Sequence, residues 1–346
     1  MHGLLLVDKP GLQEVANAGN FDHKDPSTQV QQISTAPAAV AGSALPRLYT
    51  SHDIVQLVRR WSGQRRIGHT GTLDPMASGL LVLCLGQATR LVEYYQGHDK
   101  CYYAEITLGH ATDTYDAMGQ VTETAPVPPL TTVQIEATLQ RFHGEILQKP
   151  PIYSALKQGG ESLHRKARRG EDVTVLPRPV TIYQIDLVDF TSPARIALRV
   201  VCSAGTYIRS LAHDLGQALG TCAHLSRLRR EWVGQFALTS SMTLATIEAT
   251  ATAGQLVSVL QPSGVGLDMP EVPLLDEFAH RLGHGQKVYL SAQTTPALGS
   301  IAAPYLLAKA VDFTGNFLGV IRCIEQSAYS QDRSLWKAEK WLATNE

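Results

Sequence analysis

Hydrophobic residues in this chain occur in short blocks that predict both strands and helices. Continuous apolar runs at residues 3–9 and 80–85 are typical of buried strands. Apolar and polar side chains alternate over residues 180–190 and 196–203, which predicts a pair of antiparallel strands. Because the predicted strands and helices do not follow a strict strand–helix–strand alternation, the pattern predicts an α+β fold.

Apolar residues at helical spacing mark further elements. One helix is predicted from Ser51, as its N-cap, to about Gly63, a second over residues 132–142, and a third beginning at Gly205 and Thr206. Their apolar residues are Ile54, Val55, Leu57, Val58 and Trp61 in the first, Val133, Ile135, Leu139 and Phe142 in the second, and Ile208, Leu211, Leu215 and Leu219 in the third. The remaining predicted elements are an alternating strand at 103–108, a turn at 115–119, a strand at 223–233, two short helices before Pro262, and helical or strand-like segments such as 317–324 and 335–342.

Residues 11–48 differ from the rest of the chain. They are rich in Gln, Ala, Ser, Thr, Asn, Gly and Pro and show no sustained apolar period. A segment of this composition buries too little apolar surface to offset the entropy of ordering it. We therefore predict a long flexible loop that is dispensable for folding.

Composition limits the class of protein. A length of 346 residues indicates roughly two domains, and 44% hydrophobic residues suffice for an ordinary core. No apolar run approaches the length of a membrane span, and the block at residues 4–7, ended by Asp8, is too short for the core of a signal peptide. The five cysteines are scattered without a Cys-x-x-Cys motif, which indicates reduced thiols and a cytoplasmic protein.

Residues 67–83 hold the strongest candidate for chemistry. A single carboxylate, Asp74, stands among Gly71, Pro75 and Gly79. Pro75 keeps Asp74 out of the helical region, and the glycines allow the backbone to approach a ligand closely. Asp74 is therefore predicted on a stiff loop beside the 80–85 strand, where functional side chains are common. Spacing alone leaves open a turn in which Asp74 merely bonds its own backbone.

Charge is informative only locally, because the net charge of the chain is −1. Basic residues are concentrated in three clusters: Arg59, Arg60, Arg65 and Arg66; Arg165, Lys166, Arg168 and Arg169; and Arg227, Arg229 and Arg230. Basic clusters are often only solvated surface. Three of them beside candidate site motifs predict contacts to nucleic-acid phosphates.

The sequence GHTGTLDPMASGLL at residues 68–81 resembles the catalytic motif of the TruB family of tRNA pseudouridine synthases, and further motifs between Leu4 and Phe236 follow in the family's order. The resemblance implies a catalytic domain over 1–262, with a mixed, mainly antiparallel sheet and flanking helices, and a small PUA-like RNA-binding domain over 263–346. It also implies isomerisation of uridine 55 in the T-loop of tRNA to pseudouridine. The chain departs from the family pattern at 11–48, which separate Asp-Lys-Pro from Thr-Ser-His-Asp.

The same resemblance implies roles for individual residues. Asp74 would be the nucleophile, Arg209 its ion-pair partner, and Tyr207 the base that removes the C5 proton. The residues that would bind the flipped uridine are Tyr102, which stacks on the base, Leu228, which lines the uracil pocket, and His69, which fills the gap left by the base. Each of these residues also has a purely structural alternative, because Tyr, Leu, Arg and His are often ordinary core or helix-entry residues.

Other functions and ligands are weighed on the same residues. No cofactor is expected, because the isomerisation involves no net redox change. His280 and His284 have the i, i+4 spacing of metal ligands, but Gly283, Gly285 and the lack of a third ligand argue against a metal site. The expected partner is the T-arm of tRNA, with no membrane and no obligate protein partner.

Two rival functions stay open. One is a catalytically silent RNA chaperone that remodels the T-arm, which would have no use for a carboxylate close to phosphates. The other is a glycoside hydrolase, which needs two carboxylates flanking the bond. The motif around Asp74 offers only one carboxylate.

Overall fold

The computed structural model describes residues 1–12, 48–154, 157–158, 161–162, 169, 175–191, 194–291, 306–326 and 333–342. The loop predicted over 11–48 lies outside this part of the chain, apart from residues 11, 12 and 48. Arg165, Lys166 and Arg168 of the second basic cluster also lie outside it.

Strands and helices succeed one another without regular alternation. The strands are β1 (Gly3–Lys9), β2 (Ile67–His69), β3 (Ser78–Leu85), β4 (Lys100–Leu108), β5 (His110–Thr112), β6 (Val121–Thr124), β7 (Gly144–Gln148), β8 (Lys157–Gln158), β9 (Glu161–Ser162), β10 (Arg178–Thr191), β11 (Arg195–Cys202), β12 (Ala223–Val233), β13 (Phe236–Ala237), β14 (Met242–Thr243), β15 (Glu271–Pro273), β16 (Val288–Ser291), β17 (Leu307–Val311), β18 (Phe317–Gln326) and β19 (Arg333–Trp341). The α-helices are α1 (Ser51–Ser62), α2 (Val92–Gln96), α3 (Thr132–Leu139), α4 (Ile208–Ala218), α5 (Leu244–Thr252) and α6 (Asp276–Gly283). Short 3-10 helices are Gly86–Leu91, Gln140–Phe142, Leu238–Ser240 and Leu256–Val259.

Ten described strands form one mixed sheet around which the fold is built. Its order is β14-β1-β3-β12-β4-β11-β10-β7, with β2 paired to β3 and β13 to β12. Most neighbouring strands are antiparallel, whereas β1 with β14 and β3 with β12 are parallel. The α+β fold predicted from the hydrophobic pattern is confirmed, and the central strands lie where that pattern predicts them.

The main core lies between this sheet and helices α1, α3 and α4. Strand β4 contributes alternate residues to it, from Tyr102 to Leu108. The alternating strand predicted over 103–108 lies within β4, and Glu105 is the exception to its alternation of burial. Glu105 points to the opposite face and is also buried, because Arg195 and Arg227 donate to its carboxylate.

Two details of the helices differ from the predictions. The N-cap of α1 is Thr50, which forms a capping box with Asp53, and not Ser51. In α3, Val133 is 71% exposed, so its predicted place on the apolar side is wrong. Ile135 and Leu139 are the buried residues of that helix, because residues four apart share a face, whereas Val133, two residues before Ile135, lies on another.

A second sheet follows the first in the chain, with the order β15-β17-β18-β19-β16. It packs against the first sheet through a shared apolar cluster that includes Leu4, Leu80, Val320 and Leu342. Polar contacts across the same junction include Arg90 Nη1 to the Trp341 carbonyl at 2.5 Å. None of the described helices combines the length and apolar composition required to cross a membrane.

Ser51 ties α1 to the loop that carries Asp74. Its buried hydroxyl accepts from the Leu73 amide at 2.9 Å and donates to the Leu73 carbonyl at 3.2 Å. We expect Ser51→Ala to lower the free energy of unfolding by about 1–3 kcal/mol, because two buried backbone groups lose their partner. Chemical denaturation measures this. The control is Ser62→Ala in the same helix, whose hydroxyl donates to the Val58 carbonyl of its own helix; an equal loss there would contradict the prediction.

Candidate active site

The loop between β2 and β3 is held by groups from three other parts of the chain. Besides Ser51, the wholly buried Lys9 donates its ammonium to the carbonyls of Pro75, at 3.0 Å, and Ala77, at 2.5 Å. The buried Arg230 donates to the Gly71 carbonyl at 3.2 Å and to the Leu80 carbonyl at 2.7 Å. These bonds fix both ends of the loop, so the orientation of the Asp74 side chain is set before any ligand binds.

The Asp74 carboxylate binds Arg209 in a bidentate ion pair. Arg209 Nε lies 3.0 Å from Asp74 Oδ2, and Arg209 Nη2 donates to Asp74 Oδ1 at 3.0 Å. The Arg209 side chain is 7% exposed and that of Asp74 is 28% exposed. A buried cation therefore holds a carboxylate that still reaches solvent. Spacing alone left open a turn in which Asp74 bonds only its own backbone. The contacts of its carboxylate with Arg209 rule out that alternative.

Arg209 also contacts a second carboxylate. Its Nη1 lies 3.4 Å from Asp116 Oδ2 and donates to the Thr114 carbonyl at 3.1 Å, while Nη2 donates to the Tyr153 carbonyl at 3.1 Å. Burial raises the pKa of the Asp116 carboxyl, and the guanidinium opposes that shift. The guanidinium is thus held by three separate segments of the chain.

Asp116 was missed by the sequence reasoning, which assigned residues 115–119 to a turn and counted one carboxylate in the site motif. That count holds for the motif itself, but the fold brings a second carboxylate, Asp116, to Arg209 from another segment. Asp116 is buried behind the guanidinium, with its other oxygen bonded to the Thr114 hydroxyl and the Met118 amide. It does not face open space, unlike the paired carboxylates of a glycoside hydrolase. The turn pattern in the sequence gave no signal that its aspartate would be buried.

Tyr102 and Leu228 lie on the core-facing side of neighbouring strands, β4 and β12. They are 7% and 5% exposed. Burial raises the pKa of the Tyr102 hydroxyl, while a hydrogen bond with Arg230 lowers it and the charge of Asp74 raises it further. The aromatic ring, the apolar side chain and the Asp74 carboxylate therefore lie in one region of the sheet.

Tyr207 is the N-cap residue of α4, two residues before Arg209. The Gln148 side chain holds its backbone at both ends: the Tyr207 amide donates to Gln148 Oε1 at 2.8 Å, and Gln148 Nε2 donates to the Tyr207 carbonyl at 3.0 Å. Burial raises the pKa of the Tyr207 hydroxyl, and a hydrogen bond with the Ser154 side chain and the nearby Arg209 oppose the shift. Gln148 carries no charge and no motif, so its role could not be found in the sequence.

His69 ends β2 and is half-buried, five residues before Asp74. Burial lowers the pKa of its imidazole, and the charges of Arg230 and His52 lower it further. His69 is therefore a neutral ring at the edge of the loop that carries Asp74.

In the third basic cluster, the prediction of a phosphate contact is wrong for Arg230, whereas the two other arginines form ion pairs within the chain. Arg230 is only 1% exposed and supports the backbone of the loop. Arg227 pairs with Glu105 at 3.1 Å and Arg229 with Asp8 at 3.0 Å. In the first cluster, Arg59 donates to the Ile67 carbonyl, whereas its three other members are exposed: Arg60, Arg65 and Arg66. Among the described members of the three clusters, those with exposed side chains are Arg60, Arg65, Arg66 and Arg169.

Metal ligands do not converge anywhere in the described ranges, where no three His, Cys, Asp or Glu side chains could hold an ion together. The rings of His280 and His284 lie 4.2 Å apart at the C-terminal end of α6. His284 Nδ1 contacts the His280 carbonyl at 2.8 Å, so one of its nitrogens already has a partner.

Comparison with known proteins gives the family. Residues 59–208 match the model of the N-terminal domain of TruB family pseudouridylate synthases, and residues 209–267 match the C-terminal domain of tRNA pseudouridylate synthase B. The chain is 45% identical to tRNA pseudouridine synthase B of Dehalococcoides mccartyi over 71% of this chain and 82% of that protein. It is 47% identical to the protein of that name from Symbiobacterium thermophilum, over 68% and 78%. The resemblance drawn from the sequence motifs is confirmed.

Solved structures share the fold. The chain aligns with an H/ACA RNP bound to a substrate RNA containing 2'-deoxyuridine, with a TM-score of 0.67 and 21% identity over 99% of this chain and 86% of that one. It aligns equally with a Cbf5-Nop10-Gar1 complex, with a TM-score of 0.67 and 22% identity over 98% and 84%.

Proposed function

This chain belongs to the TruB family of pseudouridylate synthases, and we propose that it isomerises uridine 55 in the T-loop of tRNA to pseudouridine. The observation that carries the proposal is the bidentate pair between the accessible carboxylate of Asp74 and the buried guanidinium of Arg209. A loop fixed by Lys9, Ser51 and Arg230 presents that carboxylate. The partially exposed position leaves one side of the carboxylate open to a substrate.

The reaction breaks the N-glycosidic bond, turns the base, and joins C5 to the ribose. Asp74 acts as the nucleophile, and Arg209 holds it in its orientation. The target uridine must leave its stack to reach Asp74, as in other enzymes that perform chemistry on a base. Tyr207 takes the C5 proton in the last step.

Three residues bind the displaced uridine and the gap that it leaves. Tyr102 stacks on the base, an interaction typically worth about 1–3 kcal/mol. Leu228 forms an apolar wall beside it, and the neutral His69 fills the vacated stack. The exposed arginines Arg60, Arg65 and Arg66 are candidates for phosphate contacts along the T-arm.

The second sheet is proposed to form a small PUA-like module, with a domain boundary near residue 262. Two of its cations form ion pairs within the sheet: Arg322 pairs with Glu339 at 2.9 Å and Lys309 with Glu271 at 2.9 Å. Contacts of this module with RNA would therefore depend more on shape than on free charge. All five cysteines are buried thiols, which fits action on tRNA in the cytoplasm.

The rival function is a catalytically silent protein that only remodels the T-arm. Incubation with unmodified tRNA, followed by an assay for pseudouridine at position 55, distinguishes the two. Stoichiometric formation of pseudouridine at that position supports the proposed enzymatic function. Binding and altered melting of the tRNA without any pseudouridine would support the RNA chaperone and contradict the enzyme.

Catalysis is expected to need no metal ion or cofactor, because the isomerisation has no redox step and a carboxylate supplies the nucleophile. Dialysis against a strong chelator should leave the turnover of an isolated T-arm substrate unchanged. This short substrate is used because full-length tRNA itself needs cations to fold. A loss of turnover that Zn²⁺ or Mg²⁺ restores would contradict the prediction.

A further inference from the structure

The turn between β5 and β6 contains a strained residue. Tyr115 has φ +62°, and among the described residues it is the one position other than glycine with a positive φ. A bulky side chain in the left-handed region costs free energy and persists only where the surroundings impose it. Tyr115 therefore needs contacts that hold it there.

Those contacts come from two sides. The Tyr115 ring stacks on the His213 ring of α4, with centroids 4.1 Å apart and planes within 12° of parallel. On the backbone, the Leu225 amide of β12 donates to the Tyr115 carbonyl at 3.0 Å, and the Tyr115 amide donates to the Thr112 carbonyl at 3.2 Å. The ring pair joins the turn to the helix, whereas the backbone bonds join it to the sheet.

The two neighbours of Tyr115 are the groups of this turn that contact Arg209. The Thr114 carbonyl and the Asp116 carboxylate both approach Arg209 Nη1, at 3.1 and 3.4 Å. Arg209 and His213 are four residues apart in α4 and so lie on one face of it. The turn therefore contacts two successive turns of α4. Thr114 and Asp116 contact the Arg209 guanidinium on one, and Tyr115 stacks on His213 on the next.

We propose that the Tyr115–His213 ring pair positions Arg209, and through it Asp74, for the reaction proposed above. The stack keeps the turn in its strained conformation, and that conformation aims Thr114 and Asp116 at Arg209 from the side opposite to Asp74. Without the stack the turn loses the contact that joins it to α4, and the guanidinium gains room to move away from the nucleophile. Neither ring touches the substrate, so both are positioning residues.

The test uses variants that remove the Tyr115 ring stack without adding backbone strain at residue 115. Tyr115→Gly removes the ring but accepts a positive φ without strain, so the fold is retained. It should lower kcat about 10- to 100-fold, a typical loss for a misplacement of about 1 Å, with KM for tRNA nearly unchanged. His213→Ala should do the same, and the double variant should be no worse than the poorer single variant, since both remove one interaction. Tyr115→Phe keeps the stack and should retain kcat within a few-fold.

A second measurement does not depend on activity. In protein with isotope-labelled arginine, the Nη2 hydrogens of Arg209 should exchange faster with solvent in Tyr115→Gly and His213→Ala than in the wild type, because their bond to Asp74 Oδ1 opens more often. His280→Ala, which breaks a ring pair with a 4.2 Å centroid distance outside the site, is the control and should change neither exchange nor kcat.

The possible results distinguish a failure of the positioning role of the two rings from a failure of the proposed function. Unchanged Arg209 exchange in both ring variants overturns the positioning role whatever the activity. Wild-type kcat in Tyr115→Gly also overturns it, as does a loss in Tyr115→Phe equal to that in Tyr115→Gly. If the wild type forms no pseudouridine although Arg209 exchange responds as expected, the ring pair is supported and the proposed function fails.

Discussion

Asp74→Asn is expected to bind tRNA within a few-fold of the wild-type affinity and to form pseudouridine at least about 10⁴-fold more slowly, since loss of a nucleophile can cost that much or more. The amide keeps the shape of the side chain and one oxygen for Arg209 Nη2. It removes the negative charge, and its NH₂ group would face the Nε–H of Arg209, which is itself a donor. Filter binding of tRNA and a single-turnover assay for pseudouridine measure the two quantities separately.

The matched control for Asp74 is Glu231→Gln. Glu231 forms a bidentate pair with Arg199, with Nε to Oε2 at 2.9 Å and Nη2 to Oε1 at 3.3 Å, and its side chain is 28% exposed, as is that of Asp74. Breaking this pair should leave turnover near the wild-type value, because Glu231 lies outside the candidate site. Near wild-type turnover by a highly purified Asp74→Asn protein would rule out the proposed mechanism.

Tyr207→Phe is expected to bind tRNA normally but to lose about 10²–10⁴-fold in the rate of pseudouridine formation, the usual contribution of a general base. The ring keeps its packing at the start of α4 and only the hydroxyl is removed. Cleavage of the glycosidic bond and reattachment at C5 could still proceed, so the defect should lie in the final proton loss. With uridine labelled by tritium at C5, the variant should release little tritium.

Tyr102 is the other phenol that could serve as the base. Burial raises the pKa of both hydroxyls, so both are protonated at neutral pH, and a base must pass on its own proton as it accepts another. Tyr207 contacts the Ser154 hydroxyl, which can relay a proton, whereas Tyr102 contacts the Arg230 guanidinium, which cannot accept one. Tyr102→Phe should therefore keep stacking and tritium release. Normal release by Tyr207→Phe together with a block in Tyr102→Phe would transfer the role of base to Tyr102.

The strands and the Asp74 loop could be predicted from the sequence because their signals are local. Apolar runs identify β1 and β3, and the glycine- and proline-rich motif identifies the loop between β2 and β3. Lys9 and Arg230 could not be placed in the same way. Both are strongly polar and both are buried, because backbone carbonyls of a distant loop replace water around their charges. Sequence shows that a residue is charged but not what it faces, which is why Arg230 was expected at a phosphate.

The faces of β12 give a second reason for the limits of prediction. The strand pairs with β4 through register shifts between Leu225 and Arg227 and between Arg230 and Trp232. Each bulge changes which side chains point to the core, so strict alternation fails after the first. Leu228 and Arg230 are buried two residues apart, but the first bulge puts them out of phase with Ala223 and Leu225, so one period-two pattern could not assign the whole strand.

The contacts of Arg209 also determine when the site can exist. They join residues that are 56, 95 and 135 positions apart in the chain. Closing loops of that length is slow and follows the formation of local structure. A nascent chain that has left the ribosome only as far as the Asp74 loop therefore carries the carboxylate without the cation that orients it. Its chemistry towards RNA begins only after α4 has been synthesised and has docked on the sheet.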